Sequence, residues 1–244
     1  MLKGLEHFKK YSLWFVIVFV LTLCSYATVN AMTLHFDQIN DGGTLTYDGN
    51  GGVLEGRDII FESVTGLGTP LNSGVTYTIS DGLLDFDTGD LLDFDPGLNF
   101  TEPDEWTFAS GGYFTLTGTV SNGTITETGT LLSGKFTSII DVSSYGSGSF
   151  ISVVGFGEDT KNQVLLDFYG IDSLLADNFN FLTSNLSASV TDYNSNTGQF
   201  SANVDEADII NSVPDASIML LLGPSLLCLG MLGRRKFKSE EKRI

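Results

Sequence analysis

Short runs of alternating apolar and polar residues recur through the middle of the chain. They are Thr44–Tyr47, Asp58–Val64, Val75–Ile79, Tyr113–Val120, Lys135–Ile140, Phe150–Val154, Gln163–Tyr169, Leu186–Val190 and Gln199–Val204. A period of two puts one set of side chains on each face of a pleated strand. Thr, Val, Ile, Phe and Tyr favour such surfaces, and the Gly, Asn, Asp and Ser residues between the runs favour turns. Asn122-Gly123, between Val120 and Thr124, predicts a hairpin turn. Ile171–Phe179 alone reads as a short helix. The glycines follow turns and lack the G-x-G-x-x-G spacing of a phosphate-cradling loop. The pattern predicts an all-β body at 32–205, a single antiparallel β-sandwich or jelly roll, followed by a polar spacer at 206–212.

Two longer apolar runs break the alternation, one at each end. Lys3, Lys9 and Lys10 precede an unbroken stretch from Leu13 to Leu21, and Val29-Asn30-Ala31 supplies small residues at its exit. A basic start, a short apolar stretch and a small-x-small exit predict a signal peptide over 1–31, cleaved after Ala31. Its partners would be the secretion translocon and signal peptidase. The second run, Ile218 to Leu232, follows Val213-Pro214-Asp215 and is closed by Arg234-Arg235-Lys236. About 20 apolar residues are needed to span a bilayer, so both runs are short. The basic cluster would stay on the cytoplasmic side by the positive-inside bias, leaving the body beyond the inner membrane.

A short proline motif, an apolar helix and an arginine pair, in that order, resemble the PEP-CTERM sorting signal. Val213, Pro214, Arg234 and Arg235 match that pattern, while Asp215 and Ala216 look closer to its Val-Pro-Asp-Ser-Gly variant. The resemblance covers residues 213–244 only. It implies handling by an exosortase-type enzyme, transient anchoring by the C-terminal helix, and then a cell-surface or extracellular location. It also implies a setting of exopolysaccharide and biofilm matrix, with exopolysaccharide a possible partner. The signal is an address and carries no activity of its own.

Charge and cysteine usage narrow what the body can do. The chain has a net charge of −18, but nine of its 12 basic residues lie in the terminal segments. Within 32–213, Arg57, Lys135 and Lys161 stand against 26 acids, which leaves −23. Such a surface cannot neutralise phosphates, so nucleic acid is excluded as a partner. Cys24 falls in the signal segment and Cys228 in the final apolar run, so the body has no disulfide, thiolate metal site or cysteine nucleophile. His35 is its single histidine and reads as an ordinary strand residue.

One acidic motif stands out. Leu83-Leu84-Asp85-Phe86-Asp87-Thr88-Gly89-Asp90 is followed at once by Leu91-Leu92-Asp93-Phe94-Asp95-Pro96-Gly97-Leu98. As two strands turning at Thr88-Gly89-Asp90, the copies would gather Asp85, Asp87, Asp93 and Asp95 on one face. Calcium takes 6–8 oxygen ligands and would suit that cluster, although the spacing is not that of an EF-hand. The competing reading is a solvated acidic face over a Leu/Phe core. The same Asp pairs, with Glu102, Asp104 and Glu105, offer a glycosidase carboxylate pair, with Trp106 as a sugar-stacking ring. No catalytic constellation is compelling and no cofactor beyond calcium is indicated. The expectation is a non-enzymatic, exported matrix or exopolysaccharide-associated protein. A secreted carbohydrate-active hydrolase and a calcium-stabilised adhesin or lectin-like module are the alternatives.

Overall fold

The alternating runs form strands whose inward residues are almost all apolar. The computed structural model describes residues 32–97, 102–121, 126–145, 150–172 and 180–212. Residues 32–213 form one compact unit. Its strands are β1 (Thr33–Asp37), β2 (Thr44–Tyr47), β3 (Val53–Ile60), β4 (Ser63–Leu67), β5 (Thr76–Asp95) and β6 (Asp104–Phe108). After them come β7 (Gly111–Ser121), β8 (Thr126–Phe136), β9 (Ile140–Tyr145) and β10 (Phe150–Lys161). A helix, α1 (Gln163–Tyr169), precedes β11 (Asn180–Asn194) and β12 (Gln199–Ser212). No helix among the described residues is long and apolar enough to cross a membrane.

The pairing register reduces this list to a simple circuit. β1 and β2 lie end to end along β12, through Asp37↔Asp208 and Thr44↔Asn203. β4 and β3 continue one another along β5, and so do β7 and β6 on its other edge. β8 and β9 likewise share one edge of β10. Counting each interrupted pair as one position, chain order runs through eight antiparallel positions. β10 joins β11, β11 joins β12, and β12 returns to β1 and β2. The antiparallel all-β expectation therefore holds, while in place of the expected two-sheet sandwich or jelly roll the strands form one sheet closed on itself. The hydrogen bonding is continuous around a closed meander, which leaves no unpaired edge between first and last strands.

Closure bends the strands, and the bends fall where the ladder slips. The β5–β7 register shifts between Ser80 and Leu83, and the β7–β8 register shifts next to Gly112. At φ 68° Gly112 sits in the left-handed region, and a Cβ there would lie 1.9 Å from the Asp87 carbonyl oxygen. Only glycine permits that approach.

Both ends of the barrel are filled. At one end α1 crosses from β8 to β4. The Asn162 N–H donates to the Leu131 carbonyl, and the Tyr169 hydroxyl donates to Val64 O at 2.7 Å. Burial pushes the Tyr169 phenol well above its ordinary range. The opposite end is an aromatic cluster, in which Phe94 stacks on Trp106 at 5.2 Å and Phe200 meets it edge-on at 5.3 Å. Between the ends, a void lined by Leu84, Phe86, Phe114, Phe136, Val153 and Leu186 offers about 10 Å³. That is near the lower limit for one water, whereas ligand pockets run to about 300–1,000 Å³. This part of the interior is core.

Several local expectations change. Asp58–Val64 and Lys135–Ile140, each read as one strand, are divided between β3 and β4 and between β8 and β9. Gln163–Tyr169, read as a strand, is α1. Asn162 Oδ1 accepts from the Val164 N–H at 2.8 Å, and Gly170 ends the helix at φ 69°. Leu165, Leu166, Phe168 and Tyr169 are buried together, the spacing of one helix face. Ile171 and Asp172 are not helical, and 173–179 lie outside the described residues. The polar spacer expected at 206–212 is the second half of β12, with Ala207, Ile209 and Asn211 buried. The body thus runs to Ser212. The Asn122-Gly123 turn, the signal segment with Ala31, and Val213, Pro214, Asp215, Arg234 and Arg235 lie outside the described residues.

Candidate functional site

The acidic near-repeat does not fold as a hairpin. β5 runs straight through it, and Asp85 and Asp95 lie ten residues apart on one strand, about 33 Å at about 3.3 Å per residue. At the expected turn, Thr88 is buried. Its hydroxyl accepts from the Leu54 N–H at 2.9 Å and donates to Gly89 O at 2.8 Å, which carries the ladder onward.

The two copies also differ in neighbours. The first pairs with β3 and β7, so Leu84 and Phe86 are core, each 3% exposed. The second pairs with β6 across a register shift between Leu91 and Asp93, and Leu92 turns out to 61% exposure. Asp85 accepts from the Asp58 N–H at 2.8 Å, and Asp87 bonds to Arg57. The Asp87 bond, opposed by burial and aided by the Asp87, Glu55 and Asp85 charges, raises the Arg57 pKa. Asp93 and Asp95 are exposed on the β6-paired segment. Asp85, Asp87, Asp93 and Asp95 therefore do not assemble the four-carboxylate calcium cluster that the hairpin would have made.

Two members of the suggested sugar-cleaving set, Trp106 and Asp104, are likewise committed elsewhere, while Glu102 and Glu105 are exposed. Trp106 is 1% exposed and donates its indole N–H to Gly198 O at 2.9 Å. Asp104 accepts from the Gly97 N–H at 2.8 Å and from the Tyr193 hydroxyl. Burial, then that bond and the Asp104 charge, raises the Tyr193 phenol above its ordinary range. A ring sealed in the core cannot stack on a sugar. Trp106, Asp104 and Tyr193 pin the aromatic end shut.

The cluster that does form was not legible locally. Register places Asp37 directly opposite Asp208, and His35 two residues along on the same face of β1. His35 Nε2 lies 3.1 Å from Asp208 Oδ1, with both side chains about one-third exposed or less. One ligand-type atom from each of His35, Asp37 and Asp208 falls within 4.8 Å of the others. Among the described residues this is the one such group of three or more His, Cys, Asp or Glu side chains. Partial burial, followed by the nearby Asp208 carboxylate, raises the Asp37 pKa, while His35 opposes the shift. His35 stood out in the sequence as the body's single histidine, but nothing local linked it to an aspartate 173 residues away.

Open grooves also lie on the surface of the described residues. One, of about 410 Å³, lies over β7, β8 and β10 and is lined by Tyr113, Thr115, Ser133, Lys135 and Glu158. Tyr113 is 74% exposed there. The other, of about 530 Å³, opens at the aromatic end, where Asp48, Glu55, Asp90, Gln199 and Ser201 line it. Comparison of the chain with family models, curated proteins and solved structures finds no match.

Proposed function

We propose that this chain is an exported protein, sorted through its C-terminal segment to the cell surface or extracellular matrix, where the barrel associates with exopolysaccharide. The observation that carries this reading is the Thr33↔Ser212 pair. It brings the first and last residues of the barrel to one edge, so the segments read as signal peptide and sorting tail attach at the same, helix-capped end. With β12 reaching Ser212, no long stalk separates the barrel from that tail.

The surface chemistry suits a neutral, hydroxyl-rich polymer. Carboxylates, Gln199 and Ser201 in the end groove, and Thr115, Ser133 and exposed Tyr113 in the lateral one, offer acceptors and an aromatic edge to sugars. A body at −23 repels anionic polymers. With Trp106 sealed in the core and Asp104 tied to Gly97 and Tyr193, the matrix reading is favoured over the hydrolase.

Fractionating producing cells tests the address. The wild-type body is expected in the envelope or matrix fraction. The Arg234→Ser/Arg235→Ser chain is expected to be exported but to keep its tail, because it loses cytoplasmic retention of that segment. Wild-type protein in the cytoplasm, or normal tail processing in the double variant, contradicts the proposal.

A further inference from the structure

We propose that His35, Asp37 and Asp208 form a binding site for a divalent transition-metal ion of the zinc class, held across the seam where the first strand meets the last. The donors come from both sides of that seam, two from β1 and one from β12. Zinc sits about 2.0–2.2 Å from imidazole nitrogen and carboxylate oxygen, so ligands around a tetrahedral ion lie about 3.4 Å apart. His35 Nε2 and Asp208 Oδ1 are already at 3.1 Å, and all three donors lie within 4.8 Å, so small side-chain rotations complete the set.

The electrostatics point the same way. Like charges directly opposite on paired strands are destabilising, yet register fixes Asp37 against Asp208. Glu206, nearby on β12, adds to the negative field at Asp37. The body's arginine and lysines stand elsewhere, which leaves His35 as the nearby base: Arg57 is at Asp87, Lys161 at Asp159, and Lys135 in register with Glu158. A bound dication balances the two carboxylates while His35 serves as a neutral ligand.

The donor set also selects the ion. Imidazole with two carboxylates suits zinc, cobalt or nickel, whereas calcium needs 6–8 oxygens that this face does not present. Three protein ligands leave a fourth position for water, open to solvent because the cluster is only part-buried. Such an ion cross-links the N-terminal and C-terminal strands, and its binding energy adds to the stability of the closed barrel. The inference is independent of the export reading, since it rests on the seam alone.

The test uses the purified protein stripped with EDTA and melted with zinc, with magnesium at equal ionic strength, and without metal. Zinc at a hundredfold excess over Kd is expected to raise Tm by about 5–10 °C, and magnesium by far less. Cobalt(II) in place of zinc is expected to give the visible absorption of a low-symmetry nitrogen–oxygen site. His35→Ala and Asp208→Asn should abolish both signals. Asp37→Asn removes a ligand while relieving the Asp37–Asp208 repulsion, so it should fold without metal at least as stably as wild type and respond weakly to zinc. Equal melting in zinc and magnesium, or a zinc shift that survives His35→Ala, overturns the site.

Discussion

Truncating Trp106 to Ala is expected to cost the barrel about 3–5 kcal/mol, the range for deleting a large buried aromatic. The indole is 1% exposed and touches Phe94, Tyr193 and Phe200, so its removal leaves a void bounded by rings from β5, β11 and β12. It also leaves the Gly198 carbonyl without the indole N–H that now serves it at 2.9 Å. For a domain of this size each kcal/mol lowers Tm by about 2–4 °C, so a fall of roughly 10 °C is expected in thermal melting. Trp106→Phe should lose less, because a ring remains. Tyr113→Ala, at a residue 74% exposed, should stay within about 0.5 kcal/mol of wild type. A small effect at Trp106 would mean that the aromatic end is not a closed core.

Lys161→Met should be comparably damaging for a different reason. Lys161 and Asp159 form an ion pair whose side chains are 2% and 0% exposed. Burial pushes the Asp159 carboxyl up and the Lys161 ammonium down, each toward its neutral form, and their mutual attraction opposes both shifts. Removing the cation strands a buried carboxylate, with an expected cost of about 3–5 kcal/mol in chemical denaturation. Replacing both, as Lys161→Met/Asp159→Leu, takes away the stranded charge together with its partner. That double variant is expected to recover most of the loss. If it is no better than Lys161→Met, the damage comes from the shape of the site and not from the unpaired charge.

What the sequence revealed and what it hid divide along local and non-local lines. Alternation in Tyr113–Val120 and Gln199–Val204 marked real strands, because each run keeps one neighbour set and one phase. The Leu-Leu-Asp-Phe repeat misled for the opposite reason. Both copies lie on β5, but the strand changes partners between them and the register shift exposes Leu92 where Leu84 is buried. In Gln163–Tyr169 the apolar residues fit a helix face as well as a strand, and the Asn162 cap and Gly170 stop decided it. The end of β12 was hidden by its polar residues. Glu206 and Asp208 alternate outward around buried Ala207 and Ile209, which a charge-based reading takes for a spacer. The His35–Asp37–Asp208 cluster depends on pairing the first strand with the last, which no local pattern encodes.

The export reading and the closed barrel meet at one boundary, since the structure begins its first strand at Thr33 and ends its last at Ser212. Intact mass of the protein recovered from the envelope or extracellular fraction tests that boundary most directly. The expected result is a chain that begins near Met32 and has lost the apolar tail beyond Val213, with the barrel whole. A mass equal to the full chain from Met1 to Ile244 would contradict it.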